Sequence, residues 1–168
     1  TLGDLREPTK AALLKAMGED RIDKLLFLSA KTTGRAAALE ALQRLRQGNA
    51  RPPLRVVEIT ARDKVCVHPG AACHGESCPL ARGFYDRLPQ ARLDAMRLAE
   101  TQLLDQAQIA AVAAEHTICP YYLSQELVRW ADVVVGDYNY WFDTSAFVYA
   151  MAVAEGWRGL VRPPRLGG

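Results

Sequence analysis

The sequence predicts an α/β fold in which a mostly helical segment interrupts a parallel sheet. Two apolar runs, residues 25–30 and 131–136, have the length of strands and show no alternation of polar with apolar residues. Such runs are typical of strands that are covered on both faces, as in parallel sheets. Between them, residues 61–79 show no periodicity, and residues 80–130 have the pattern of short helices. The sequence therefore places a helical, cysteine-bearing insertion between strands of one sheet.

The first two predicted elements are a helix over residues 9–17 and the strand over residues 25–30. Pro8 stands before the helix and Gly18 directly after it. Proline at the start and glycine past the end are typical of helix boundaries. The uncharged strand that follows is expected to be covered by other elements on both faces.

A second helix and a second strand complete a β-α-β unit. Thr33 is a suitable N-cap for a helix over residues 34–47, and Gly48 directly follows it. An apolar strand is then predicted over residues 54–60. In a parallel sheet the connection between these strands must cross over right-handed.

The loop over residues 61–79 holds three of the four cysteines together with two prolines and two glycines. These residues favour turns, so the loop needs a cross-link to organise it. Four helices are predicted after it: one through Phe84 and Tyr85 to near Pro89, one around Leu93 to Leu103, one over 105–116 and one over 120–130.

The C-terminal part is expected to return to the sheet through the strand over residues 131–136. A further helix is predicted over residues 144–154, capped by Asp143 or Thr144. Residues 158–168 are basic and rich in proline and glycine, so a poorly ordered tail is expected there. The sequence thus predicts four units: the first part of the sheet domain (residues 1–60), the helical insertion (61–130), the return to the sheet (131–157) and the tail (158–168).

Composition places the chain among ordinary folded proteins. It has 168 residues, of which 49% are hydrophobic and 24% charged, which argues against disorder. No run approaches the ~18 apolar residues that a membrane span needs. No charged-then-apolar leader opens the sequence. A cytoplasmic protein with no membrane partner is therefore expected.

Charge is distributed unevenly along the chain, although the net charge is only +2. Residues 31–64 contain eight Lys and Arg against three Asp and Glu, whereas residues 105–155 contain seven acids and one arginine. Clustered positive charge is what a nucleic-acid phosphate backbone requires. A solvated helix face would give the same pattern.

The four cysteines are Cys66, Cys73, Cys78 and Cys119. Four thiolates suit an iron-sulfur cluster or a structural zinc, and a disulfide framework is not expected without a secretory leader. Zinc sites usually show two close cysteine pairs, and here only Cys73 and Cys78 are close, so the spacing mildly favours a cluster. Inert burial of the cysteines is the third alternative. His68, His74 and His116 each lie near a cysteine and could replace one in a zinc site.

Cys119 is followed by Pro120, which is typical of the first residue of a helix. Cys119 would then cap that helix, where the positive end of the helix dipole stabilises a thiolate. The sequence therefore predicts that Cys119 is primed for ligation.

Four segments resemble motifs of the XPD-like and DinG-like iron-sulfur DNA helicases, in the order of that family. Residues 62–69 are similar to the start of its iron-sulfur domain, and residues 116–122, with Cys-Pro-Tyr-Tyr, resemble its end. Residues 131–143 resemble the strand and Tyr-Asn-Tyr segment that follow. Residues 28–35 resemble the motor-domain motif that touches the DNA backbone. The likeness is greatest to bacterial DinG-like members.

The resemblance implies a RecA-like motor domain and an ATP-driven helicase that moves 5′ to 3′ on DNA, in repair or replication. It implies a 4Fe-4S cluster on the four cysteines and single-stranded or forked DNA as the partner, with no catalytic residue in this chain. The implied DNA contacts are Arg62, Lys31, Thr32, Thr33, Arg35, Tyr138, Tyr140 and Trp141. The aromatic residues among them could stack on bases, and core packing is the alternative for each.

Two motifs of that family have no counterpart here. The sequence contains no G-x-x-x-x-G-K-[ST] phosphate loop, and no Asp-Glu-Ala-His follows Trp157. We therefore expect a segment of a longer protein that binds ATP and Mg²⁺ only at full length. The alternatives are a free-standing zinc- or cluster-binding DNA-binding module without motor activity, and an α/β scaffold with buried cysteines and no metal.

Overall fold

The computed structural model describes residues 23–47, 54–137, 139–142, 147–157 and 159–162, which include a four-stranded parallel sheet. The strands are β1 (Lys24–Leu28), β2 (Val56–Glu58), β3 (Val133–Gly136) and β4 (Gly159–Arg162), in the order β2-β3-β1-β4. The helices are α1 (Thr32–Gln47), α2 (Arg62–Val65), α3 (Phe84–Ala99), α4 (Gln106–Glu115), α5 (Pro120–Val128), α6 (Asn139–Phe142) and α7 (Phe147–Glu155). Within these ranges, no helix is long and apolar enough to cross a membrane.

Strands β1 and β3 form the centre of the sheet. They run parallel, with Leu26 opposite Val134 and Phe27 opposite Val135. Every residue of both strands is buried, because neighbouring strands pair with them on both sides and helices cover both faces. The prediction of an α/β fold with a buried parallel sheet is confirmed. The predicted helix over residues 9–17 lies outside the described residues.

Alternate residues of β1 point into two different cores. Leu25 and Phe27 pack with Ala38 and Leu42 of α1 on one face of the sheet. Leu26 and Leu28 pack on the other face, in a core shared with the helices of the insertion. The residues that these helices bury there include Phe84, Leu88, Ala91, Ile109, Val112, Leu123 and Leu127. The insertion therefore covers one face of the sheet and shares a hydrophobic core with that face.

One helix, α3, occupies the region where two helices are predicted. Pro89 lies inside α3 and does not end it. Pro89 is exposed, and so is Tyr85, the residue four positions earlier whose carbonyl group proline cannot bond. Water can hydrate that carbonyl group, while Leu88 and Ala91 are buried on either side of Pro89. The expected helix break is wrong, because burial of the helix face that carries Leu88 and Ala91 outweighs the loss of one hydrogen bond.

Strand β4 lies in the predicted tail. It pairs with β1 in parallel, with Leu160 opposite Leu25 and Val161 opposite Leu26. The expectation of a poorly ordered tail is therefore wrong for residues 159–162, since an available edge of β1 gives these residues backbone partners. Residues 163–168 lie outside the described part of the chain.

The starts of β2 and β3 are joined by an ion pair. The Asp132 carboxylate accepts hydrogen bonds from the backbone N–H of Arg55 at 2.8 Å and from its guanidinium Nε and Nη2 at 3.1 and 3.0 Å. This contact fixes the register with which the chain returns from the insertion to the sheet.

Candidate metal centre and nucleic-acid surface

All four cysteines line one cavity. Its empty volume is about 380 Å³, solvent mouth included. Cys73 is exposed, the other three are half-buried, and all four thiols are free. The remaining wall residues include Arg62, His68, Leu80 and Tyr122. The predicted ligands thus come together from two separate stretches of the chain, the loop over residues 61–79 and the start of α5.

Short turns position the first three cysteines. Cys66 directly follows α2, and its backbone N–H donates to the carbonyl oxygen of Arg62 at 2.8 Å. The N–H of Cys78 donates to the carbonyl oxygen of His74 at 2.9 Å, which closes the turn after Cys73. None of residues 61–83 is buried. The segment has backbone turns and no hydrophobic core of its own.

Cys119 reaches the cavity as the N-cap of α5, with Pro120 in the first helical position. The preceding Thr117 has a positive φ of 53°, a conformation that L side chains rarely adopt. Ile118, between them, is 1% exposed and anchors the turn in the core. A buried neighbour and a helix start therefore set the position of this cysteine.

Burial raises the pKa of the Cys119 thiol, and the N–H groups of Tyr122 and Tyr121 offset only part of that shift. The prediction that the helix terminus primes a thiolate here is wrong for the free protein. Desolvation of the charged form exceeds the favourable helix-end field. A ligand that takes the thiolate must displace the proton on binding.

Arg62 reaches the cavity from the first residue of α2. Its guanidinium Nη1 donates to Cys73 Sγ at 3.5 Å. This hydrogen bond is the main reason why the pKa of Arg62 is raised. Since the side chain is also exposed, its remaining N–H groups can bind an anion at the rim.

The three histidines occupy different environments. His68 lines the cavity, and the His74 ring is within 3.3 Å of Ser77 Oγ. The His116 Nε2 lies 2.9 Å from Asp94 Oδ2, in a contact between α4 and α3. Among the described residues, no three His, Cys, Asp or Glu side chains converge closely enough to hold a single ion.

The predicted DNA-backbone motif lies at the start of α1. Lys31, Thr32 and Thr33 are exposed there, and the first turn of the helix contains no acid. Gly34 allows the turn to close, because a Cβ at this position would overlap Ser29 Oγ. Helix starts of this kind bind phosphate oxygens through backbone N–H groups.

Arg35 differs from its neighbours in this motif, since it is 5% exposed. Its guanidinium contacts the Ser29 carbonyl oxygen and Thr32 Oγ1. It also lies near the carboxylates of Glu58 and Asp137. The structure therefore places Arg35 beneath the surface that Lys31, Thr32 and Thr33 form.

Of the three predicted aromatic contacts, Tyr140 has a side chain that the structure describes. Tyr140 is partly buried against the main core, and burial raises the pKa of its hydroxyl group. Trp141 belongs to α6, and nothing is described of its side chain. Tyr138 lies outside the described residues. For Tyr140, core packing is the environment that the structure gives.

Sequence reasoning missed an exposed aromatic cluster beside the cavity. Tyr85 is 83% exposed and Tyr122 is 42% exposed, with Phe84 between them at ring-centroid distances of 5.4 and 6.1 Å. Tyr121 extends the cluster at 5.2 Å from Tyr122. The signal was present as two aromatic pairs, at 84–85 and 121–122. Both stand at helix starts, and only the fold shows that those starts are adjacent.

The small parallel sheet with helices on both faces is consistent with a helicase-type domain. Comparison with family models gives a match to DEAD_2 over residues 31–153. The chain belongs to the DEAD_2 family.

Several curated relatives carry the name regulator of telomere elongation helicase 1. The chain is 26% identical to the Anopheles gambiae homolog over 151 residues, which is 83% of this chain and 15% of that protein. It is 28% identical to the Drosophila melanogaster homolog over 162 residues, 86% of this chain and 15% of that protein. The human protein is 26% identical over 118 residues, 64% of this chain and 9% of that protein.

These relatives confirm the expected likeness to helicases of the XPD and DinG kind at the level of a helicase-type region. The narrower expectation of a bacterial DinG-like member is not confirmed, since these relatives are animal proteins. The chain spans 15% or less of the length of these three relatives.

Proposed function

We propose that the chain is a segment of an ATP-dependent 5′-to-3′ DNA helicase of DNA repair or replication that binds a 4Fe-4S cluster and contacts single-stranded DNA. The proposed cluster ligands are Cys66, Cys73, Cys78 and Cys119. One observation carries the proposal: thiols from two separate stretches of chain, the loop over residues 61–79 and the start of α5, line the same cavity. ATP and Mg²⁺ would bind to other parts of the longer protein.

The donor set fits an iron-sulfur cluster. Four thiols and no carboxylate line the cavity, and such soft ligands select iron-sulfur clusters or zinc over hard cations. Zinc would draw every sulfur to within ~2.3 Å of one point. Only Cys73 and Cys78 are close together in the sequence, a spacing that favours a cluster over the two close cysteine pairs usual in zinc sites. When bound, the cluster would cross-link the cavity walls.

The surroundings of the cavity also need such a cross-link. Residues 61–83 contain no buried side chain, so hydrophobic packing contributes little to their order. Ligation of Cys66, Cys73 and Cys78 would tie this segment to Cys119 at the start of α5. Metal binding of this kind supplies folding free energy where a core is missing.

Two exposed features support the proposed DNA contact. The start of α1 presents Lys31, Thr32 and Thr33 without a neighbouring acid in the first turn, which suits a backbone phosphate. Arg62 stands at the rim of the cavity with free N–H groups. Phosphate contacts of these types position a strand without reading its sequence, as a helicase requires.

The test of cluster binding is anaerobic purification of the chain, followed by visible absorption and by iron, sulfide and zinc analysis. We expect brown protein with near-stoichiometric iron and sulfide, and loss of the colour in Cys78→Ser. Ala81→Ser also changes a residue lining the cavity to serine, so it is the matched control and should keep the colour. Colourless protein with stoichiometric zinc would favour the zinc-module alternative. Protein without metal would favour the scaffold alternative.

A further inference from the structure

Arg35 connects the carboxyl ends of β1, β2 and β3. Its Nη2 donates to Thr32 Oγ1 at 3.2 Å and its Nη1 to the Ser29 carbonyl oxygen at 3.4 Å. Nη1 also lies 3.7 Å from Asp137 Oδ2, after β3. Nε lies 3.9 Å from Glu58 Oε1, at the end of β2. One side chain thus joins the turn before α1 to the carboxyl ends of β2 and β3.

Burial and charge argue against a direct contact between Arg35 and phosphate. Its side chain is 6% exposed, and the nearby Glu58 and Asp137 side chains are 12% and 29% exposed. Two carboxylates already exceed the charge of one guanidinium, so a phosphate would enter a net negative environment. Arg35 is therefore better placed to hold the turn than to bind what the turn binds.

Glu58 continues the connection into the insertion. Its Oε2 accepts a hydrogen bond from the backbone N–H of Gln106, the first residue of α4, at 2.9 Å. Helix α4 packs on α5, which begins after Cys119. A continuous path of polar contacts and packed helices thus runs from Thr32 through Arg35 and Glu58 to the cavity.

The contacts of Arg35 along this path can rearrange. The two ion pairs of Arg35 are long, and its Nε is buried without a hydrogen-bond acceptor. An incompletely bonded guanidinium can shift toward Glu58 or toward Asp137 at little cost, because neither contact is optimal now. Networks with alternative arrangements are the physical means by which two sites influence each other.

We propose that Arg35 is a positioning residue which, with Glu58, sets the turn over residues 29–33 and couples it to helix α4 of the cysteine-bearing insertion. The inference rests on the proposed function, in which this turn meets the DNA backbone. It changes the role predicted for Arg35 from a DNA contact to a support for Thr32 and Thr33.

The direction in which one substitution changes DNA affinity tests the proposal. Glu58→Gln keeps an oxygen for the N–H of Gln106 and removes the ion pair with Arg35. Loss of an acid should strengthen binding to a polyanion if only charge matters. We expect instead that fluorescent oligothymidine binds the full chain about three- to tenfold more weakly, in the range typical of coupling residues. Glu40→Gln removes an exposed acid from the same region and should not weaken binding.

Hydrogen exchange provides a second measurement that needs no DNA. In Glu58→Gln and Arg35→Gln, the amides of residues 31–35 and of the first turn of α4 should exchange faster together. Asp132→Asn removes an ion pair at the opposite ends of the strands and controls for a general loss of stability. It should leave both segments and strand affinity unchanged.

The outcomes separate the two proposals. Equal or tighter strand binding by Glu58→Gln, with wild-type protein binding normally, would overturn the positioning role. If the wild-type chain binds no strand, the proposed DNA contact fails, and exchange rates alone then decide the coupling. Faster exchange in both segments would support the coupling, and a change confined to α4 would overturn it.

Discussion

The Nζ atom of Lys24 donates a hydrogen bond to the carbonyl oxygen of Val128 at 2.7 Å, joining the first residue of β1 to the last residue of α5. The same ammonium group also donates to the carbonyl oxygens of Arg129 and Ala131. It lies 4.6 Å from the centre of the Trp157 ring. A cation here satisfies carbonyl groups that end a helix and meets the negative end of its dipole. Strand β1 thereby anchors the C-terminal end of α5, the helix whose N-cap is Cys119.

Replacement of Lys24 should show a specific pH dependence. Burial lowers the pKa of Lys24 to about 8 in the folded protein, against 10.5 in a model peptide. Between these values the unfolded chain binds more protons than the folded one, so Lys24 makes stability rise with pH. We expect Lys24→Met to reduce the free energy of unfolding at pH 7, and to reduce it by about 3 kcal/mol more above pH 10. Urea unfolding at a series of pH values measures this difference.

The matched control is Lys64→Met, since Lys64 is exposed in α2. Its effect should stay within ~0.5 kcal/mol across the same pH series. A loss for Lys24→Met that is equal at pH 7 and pH 10 would show that burial does not penalise the Lys24 cation.

Cys119→Ser should destabilise residues 61–130 as a unit. Serine caps a helix as well as cysteine does, so the N-terminus of α5 is retained while a soft ligand is lost. Structural metal sites supply folding free energy on the order of 10 kcal/mol, and residues 61–83 have no buried side chain to replace it. Limited proteolysis followed by mass spectrometry should detect early cleavage in this region.

Ala114→Ser is the control for that experiment, because Ala114 is exposed in α4 of the same insertion. Its cleavage pattern should match that of the wild-type protein. An unchanged pattern for Cys119→Ser as well would remove Cys119 from the proposed ligands.

Arg62→Ala should weaken single-strand binding and make it less sensitive to salt. On a single strand, each phosphate contact that is lost reduces the slope of log affinity against log salt concentration by about 0.7. Fluorescence anisotropy with oligothymidine over a potassium chloride series measures both quantities. Arg97 is exposed near the end of α3, so Arg97→Ala should preserve the slope. If the slope of Arg62→Ala is also unchanged, Arg62 makes no phosphate contact.

Pro89→Ala should stabilise the protein. Proline in a helix interior is about 3 kcal/mol less favourable than alanine, and Pro89 is exposed in α3 with no packing to lose. We expect an increase of about 1–3 kcal/mol in the free energy of unfolding, measured by urea denaturation. The exposed Leu93→Ala provides a control with little expected effect. No gain for Pro89→Ala would mean that proline's restriction of the unfolded chain offsets its helical penalty.

Several elements could be predicted because their signals are local. Strand β1 follows from an uninterrupted apolar run, and α4 and α5 follow from Asp105 and Pro120 at their starts. The continuation of α3 through Pro89 could not be predicted, since it depends on the core that Leu88 and Ala91 enter. Likewise β4 exists because β1 offers it a free edge, which its own basic and breaker-rich surroundings do not reveal.

The sequence by itself determined the class of fold, the four candidate ligands and the family motifs. Periodicity, thiol chemistry and short motifs depend only on residues that are close together in the sequence. Only the tertiary structure decided which groups meet. It brought Cys119 to the loop of the other three cysteines, across forty residues of intervening chain. It also buried Arg35 between Glu58 and Asp137 while leaving Lys31 exposed. Distances between sequence-remote side chains depend on packing of the whole core, and no local pattern encodes them.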